Sequence, residues 1–196
     1  MKPVVLIGGG GHARVVYDAL VALGRSLLGV VDRDPAGVRV SGVDVLGDDA
    51  AALALDPGTV ELANGIGGIG DTAPRRQVFE TFKARGFTFV TVIHPSAVVA
   101  AEVTLGEGCQ IMAGVVLQTG VTVGANTIVN TRASVDHDSL IGAHCHVAPS
   151  ATICGNVSVG ESSHIGAGAV LVQGARVGAG VLVKATSLIH GEADGA

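Results

Sequence analysis

The run VTVGAN TIVNTR ASVDHD SLIGAH CHVAPS ATICGN VSVGES, residues 121–162, falls into blocks of six with an aliphatic residue third in every block. Those residues are Val123, Val129, Val135, Ile141, Val147, Ile153 and Val159. The same step reaches back through Leu117, Ile111, Leu105 and Val99 to Ile93. It runs forward through Ile165, Leu171, Val177 and Val183 to Ile189, without a miss. Neither a helix, at about 3.6 residues per turn, nor a simple strand alternation has this period. It is an internal repeat, and the chain is organised around it.

A longer period sits on the first. Gly follows the aliphatic residue at 106, 124, 142, 160 and 178, a spacing of three blocks. Three blocks therefore make one turn of a three-sided column, with Gly at a recurring corner. Gly suits a corner by tolerating positive φ and by having no side chain to meet the next coil. The position two before the aliphatic one is small or branched, as at Val103, Cys109, Val121, Ala133, Ser139, Ala151, Ser163 and Ala175. The pattern predicts short parallel strands, one inward aliphatic side chain per face, and coils about 4.8 Å apart.

Composition agrees. Of 196 residues 48% are hydrophobic but only 3% aromatic, so the core is Val, Ile, Leu and Ala. The net charge of −5 with no basic tract argues against a nucleic-acid partner and against a membrane surface. No apolar run is long enough to span a bilayer, and the N-terminus has no cleavage site before its Gly loop. Cys109, Cys145 and Cys154 form no CxxC pair and read as small thiols in a reducing cytoplasm.

The first 92 residues read differently. Val4–Ile7 is a buried strand, Gly8-Gly9-Gly10-Gly11-His12 a loop, and Ala13–Leu23 a helix ended by Gly24. Leu27–Val31 is a second strand closed by Asp32. The Gly8-x-Gly10-x-x-Ala13 spacing, with an acid about 20 residues on, meets the relaxed dinucleotide fingerprint. Its glycines let backbone approach a pyrophosphate at a helix N-terminus. Short helices over 48–55 and 72–85 and strands over 59–63 and 87–92 complete an alternating pattern, hence a parallel sheet. This is one nucleotide-binding half, a Rossmann-like half domain. The expected domains are 1–92, a β-helix over 93–189, and a disordered polar tail over 190–196.

Among the hexads, Val135-Asp136-His137-Asp138 places an imidazole and a carboxylate at one corner, where both project outward. A neutral His is the usual general base near neutral pH, and a neighbouring carboxylate orients it. His164 follows His146 by three blocks, so the two stack on adjacent coils, with His144 nearby. Clustered histidines raise a zinc alternative, since γ-class carbonic anhydrases use such a prism. The spacing does not match that family's ligands, and no metal is expected.

The hexads VTLGEG, VTVGAN, SLIGAH, VSVGES, SHIGAG and ARVGAG resemble the hexapeptide repeat of left-handed parallel β-helix acyltransferases. The left-handed sense is an implication of that resemblance, because ordinary crossovers favour the other hand. The whole chain resembles the nucleotide-aminosugar N-acetyltransferases of the sialic acid O-acetyltransferase-like (NeuD/PglD-type) family. The likeness rests on the Gly-Gly-His loop, Asp32, Asn64-Gly65-Ile66-Gly67 before Arg75-Arg76, and Ile93-His94-Pro95-Ser96-Ala97. It continues through Val129-Asn130-Thr131, Val135-Asp136-His137-Asp138, His146-Val147-Ala148-Pro149 and Gly155-Asn156.

The resemblance implies His137 as general base and Asp138 as the group that raises its basicity. It implies Gly10, Gly11, His12, Asp32, Gly65 and Asn130 for a nucleotide-linked amino sugar. His146, Gly155, Ala167 and Ala185 would line the groove for acetyl-CoA, the co-substrate. It further implies a homotrimer with the coenzyme between columns, and cell-surface glycan synthesis in the cytoplasm. The likeness breaks at Ser187-Leu188-Ile189-His190-Gly191, where relatives usually carry Gly-x-Pro-Ala-Lys/Arg, so the adenine end of the coenzyme is expected to be held differently. Alternatives are O-acetylation of a sialic acid or related sugar, which leaves the first domain without a nucleotide, and a non-catalytic nucleotide-sugar sensor or scaffold. A reductase is the weakest alternative, because the second nucleotide half is missing.

Overall fold

A computed structural model describes residues 1–194. The N-terminal layer is a four-stranded parallel sheet of β1 (Val4–Ile7), β2 (Leu27–Val31), β3 (Val45–Gly47) and β4 (Glu61–Asn64), in the order β3-β2-β1-β4. Helices α1 (Gly11–Ala22), α2 (Asp49–Leu53) and α3 (Ala73–Lys83) pack around it. Strand β3 is absent from the sequence reading, since it is three residues long and the alternation of Val43-Asp44-Val45 is too brief to signal a strand. The strand expected over 87–92 is not a ladder strand. Phe89 makes a single parallel bridge to Leu62, and Val92 already belongs to the column.

The column begins at Val92–Ile93 and is a left-handed parallel β-helix. Among the described residues, eighteen two-residue strands make three six-stranded parallel sheets, one per face, with partners 18 residues apart, as in Val123↔Ile141 and Val147↔Ile165, save the last rung, Val177↔Ala193. The inward ladder from Ile111 to Val183 is buried as one core with the small residues that precede each rung. Polar members of that small set each use their hydrogen on a carbonyl 15 residues on. Examples are Ser139 Oγ to Cys154 at 2.9 Å and Ser163 Oγ to Gly178 at 2.7 Å. Cys109 and Cys145 make the same contact to Gly124 and Gly160 at 3.1 Å, and burial pushes both thiols up to about 11. Cys154 is only half-buried at a corner.

The recurring glycines are not the left-handed residues. Positive φ falls two positions later, at Gly108, Asn126, His144, Ser162 and Gly180. Gly106, Gly124, Gly142 and Gly160 serve close approach instead. A Cβ on Gly124 would stand 2.4 Å from the backbone nitrogen of Ala143, on the next coil, and the other three would meet the same obstacle at 2.5–2.6 Å. Nor is the expected tail wholly outside the column. Glu192–Ala193 pair in parallel with Arg176–Val177 as the last rung; residues 195–196 lie outside those described.

The N-terminal layer is bolted to the first column face. Arg75, fully buried, donates through Nε to the Asn126 carbonyl at 3.0 Å and through Nη1 to the carbonyls of Asn64 (2.9 Å) and Ile66 (2.7 Å). Burial lowers its pKa to about 9, and its Nη2 has no partner among the described residues. Column residues Met112 and Ala125 pack into the apolar clusters of the N-terminal layer. No described helix is long and apolar enough to cross a membrane.

Candidate active site

Between the N-terminal layer and the column lies a cleft of about 850 Å³. One wall is the start of α1 (Gly11, His12, Val15) and the loop Gly67–Gly70; the other is the column at Asn130, His146, His164 and Gly166–Ala167, reaching Lys184 and Ala185. Six of the residues expected to bind ligands line it: Gly11, His12 and Asn130 from the sugar set, and His146, Ala167 and Ala185 from the coenzyme set. Gly10 stands beside them as the N-cap of α1, with no side-chain cap there and no acid in the first turn. The helix therefore presents free N–H groups, a setting that favours an anion.

The rest of the glycine loop is closed. A Cβ on Gly8 would stand 2.5 Å from Ile66 Cδ1, and one on Gly9 2.7 Å from Val38 Cγ2, whereas Gly10 and Gly11 meet nothing within 4 Å. Asp32 is not on the cleft. Its Oδ2 accepts from Gly9 N–H at 2.7 Å and its Oδ1 from Asp34 N–H at 2.9 Å, beside a smaller recess of about 130 Å³. Gly65 also serves the loop's packing: a Cβ there would lie 2.7 Å from the Gly8 carbonyl.

Hydrogen bonds determine the polarity of the column wall. Gly68 contributes one carbonyl to two imidazoles, so His146 Nδ1–H (2.9 Å) and His164 Nδ1–H (2.7 Å) both donate to it. Asn130 Oδ1 accepts from Thr131 N–H at 2.8 Å, so its Nδ2–H faces His146 Nε2 at 3.1 Å. Burial, ahead of all other influences, takes His146 down to about 4, and the ring is neutral at neutral pH. His146 and His164 pair across adjacent coils as expected, edge to face at 4.9 Å. His144 turns elsewhere, to Asn126 Nδ2 at 3.0 Å and against Phe79, so the three imidazoles do not converge.

His137 and Asp138 meet as expected, Nδ1 to Oδ2 at 2.9 Å, with Asp138 in the left-handed region at φ 59°. That hydrogen bond, more than any other influence, raises the His137 pKa above the ordinary value. The pair is exposed, at 48% and 69%, and belongs to the corner after Ser134–Val135, one corner on from Asn130. Neither residue lines the cleft of its own chain, and neither does Gly155, which lies under the His137 ring. The face between the two corners carries a recess of about 140 Å³ near Asp136 and Cys154. Sequence reasoning missed Gln110, whose Oε1 lies 2.8 Å from His12 Nε2, along with Gly68 and Lys184. The available signal was a Gln at a buried strand position of the column.

Residues 3–82 match the family model described as the PglD N-terminal domain. Over 117 residues the chain is 33% identical to the UDP-N-acetylbacillosamine N-acetyltransferase of Bacillus subtilis; that match spans 58% of this chain and about half, 52%, of the relative. Among solved structures, perosamine N-acetyltransferase from Caulobacter crescentus, in complex with CoA and GDP-perosamine, is 40% identical with a TM-score of 0.92. That superposition covers 99% of this chain and 91% of the other. The acetyltransferase domain of PglB from Neisseria gonorrhoeae, in complex with acetyl coenzyme A, is 35% identical with a TM-score of 0.92, covering 98% and 93%.

Proposed function

Because the chain belongs to the PglD-type family of nucleotide-aminosugar N-acetyltransferases, we propose that it acetylates the amino group of a nucleotide-linked amino sugar with acetyl-CoA. The observation that carries this reading is the cleft in which Gly11 and His12 face Asn130, His146, Ala167 and Ala185. An amine donor and a thioester held in one cleft react as an effectively unimolecular pair.

The chemistry is direct transfer. The neutral amine attacks the thioester carbonyl; a C–N bond forms and the C–S bond breaks. His137 Nε2 takes the amine's proton, and the proton ends on the departing thiolate. With Nδ1 donating to Asp138, Nε2 is the nitrogen free to act as base. Asn130 Nδ2 and unpaired backbone N–H groups are candidates to stabilise the oxyanion. Direct transfer uses no covalent acyl carrier: Cys109 and Cys145 are buried with raised pKa values, and the half-buried Cys154 thiol has no base hydrogen-bonded to it among the described residues.

The working unit in this reading is a homotrimer in which a neighbouring copy supplies His137, because that residue lies off the cleft of its own chain. The second column face supports it: Val98 and Leu188 are 63% and 59% exposed at its two ends. Three unpaired thiols fit a cytoplasmic setting. The test is a thermal-shift screen with UDP-, GDP- and dTDP-linked amino sugars, then thiol release from acetyl-CoA on each hit. Stabilisation by one such sugar with thiol release supports the reading. No stabilisation by any of them defeats the substrate class, and full turnover by His137→Ala defeats the base.

A further inference from the structure

His12 and Gln110 come from different domains and meet at 2.8 Å, Nε2 to Oε1. The Gln110 amide has one possible orientation. Its Nε2–H donates to the Asn64 carbonyl at 2.7 Å, and a carbonyl only accepts. Oε1 is therefore the atom that faces His12, and the proton between them belongs to His12 Nε2. A neutral imidazole protonated at Nε2 carries a bare lone pair on Nδ1. Burial takes the His12 pKa down to about 4, with the Arg75 charge acting in the same direction. Its Nδ1 has no partner among the described residues, and the side chain lines the cleft.

We propose that Gln110 is a positioning residue that sets the His12 tautomer, so that His12 Nδ1 accepts a hydrogen bond from an amine or hydroxyl of the bound sugar and never from its diphosphate. This rests on the cleft being the acceptor-sugar site. The exclusion of phosphate follows from polarity. The diphosphate of a nucleotide sugar has no proton to donate, and its oxygens against Nδ1 would set lone pair against lone pair. The diphosphate belongs instead at Gly10 and Gly11, where backbone N–H groups open the helix and no side chain intervenes. Gln110 itself is 1% exposed and does not line the cleft. It acts through His12, and its own orientation is set by Asn64, whose Nδ2 donates to the Arg75 carbonyl at 3.0 Å.

The test reads the ring nitrogens of His12 by nitrogen-15 NMR in the unmodified protein. The expected resting state has Nε2 protonated and Nδ1 bare at neutral pH. Adding a nucleotide-linked amino sugar should move the Nδ1 resonance, and adding the matching nucleoside diphosphate alone should leave it in place. Gln110→Met should mix the tautomers and raise KM for the sugar about tenfold, leaving KM for acetyl-CoA unchanged. A resting proton on Nδ1, or ring protonation by the nucleoside diphosphate alone, overturns the proposal. So does a folded Gln110→Met enzyme with unaltered tautomer and KM. If that variant does not fold, the two measurements on the unmodified protein still decide. A broader failure, of the acetyltransferase reading itself, would appear separately as no thiol release by the unmodified enzyme, with the resting tautomer as stated.

Discussion

The imidazole of His137 rests where a side chain on Gly155 would stand: a Cβ built on Gly155 would lie 2.6 Å from Nε2 and 2.7 Å from Cε1. The two residues share a corner on successive coils, and Asn156 N–H donates to the His137 carbonyl at 2.9 Å. Gly155 was expected to serve the coenzyme, and its missing side chain allows the His137 ring to lie against the column. Gly155→Ala keeps the backbone amide and needs no unusual φ, so stability should change by less than about 1 kcal/mol. Displacing the base by about an ångström should lower kcat up to about 100-fold. Melting temperature and kcat measured on the same preparation check both halves.

The His137–Asp138 bond makes a pH prediction. A raised pKa keeps the imidazole protonated to higher pH, so the base form, and with it kcat, appears only as pH rises through that value. Asp138→Asn removes the charge-assisted bond. The acid limb of the kcat profile should then move to lower pH while the plateau falls. Asn tolerates the left-handed φ of 59° at this position, so folding should be preserved. An acid limb that stays in place would mean that another group titrates. His137→Ala should lower kcat by about 10²–10⁴.

Arg75 should prove indispensable to the joint between the domains. Truncation to Ala strands the buried Asn126 carbonyl, takes one of two donors from the Asn64 carbonyl and one from the half-buried Ile66, and leaves a void. The cost should be about 3 kcal/mol or more by denaturant unfolding. Arg75→Lys should recover only part, because one ammonium cannot span carbonyls that a planar guanidinium reaches together.

Acid should destabilise the fold through His12 and His146. Both have folded pKa values near 4 against an ordinary 6.5. An unfolded chain binds their protons first as pH falls. Their stabilisation is thus fully present above about 6.5, declines between there and about 4, and is then exhausted. Each contributes on the order of 3 kcal/mol across that window. Melting temperature against pH should show the fall, and His146→Gln should make it shallower.

Thr186 is a β-branched residue at φ 59°, a conformation such side chains resist. Thr186→Gly should raise stability by about 0.5–1 kcal/mol, read as a higher denaturant midpoint.

Legibility varied with the range of the interactions involved. The ladder from Ile93 to Ile189, the 18-residue pairing of His146 with His164 and the corner pair His137–Asp138 all follow from local repetition. The glycine corners were located correctly but half explained: Gly124 answers to the Ala143 backbone one coil away, and the left-handed φ belongs to Asn126. Asp32 stands where the fingerprint places its acid, and the structure adds what no spacing shows, that its oxygens accept from the Gly9 and Asp34 N–H groups. Gln110, Gly68 and Arg75 left no mark in the period, since each has a partner at an irregular separation in the other domain, Asn64, His146 and Asn126 respectively.

By itself the amino-acid order determined a three-sided column with a small α/β layer before it. An inward aliphatic residue at every sixth position can be buried in a coil of that pitch and in few other ways. Only the tertiary structure decided which corner faces the cleft and which turns from it, and hence that His137 and His146 lie on different sides of one chain. The docking of the layer on the first face decides that. It depends on buried hydrogen bonds and side-chain fit between distant segments, which no period along the chain records.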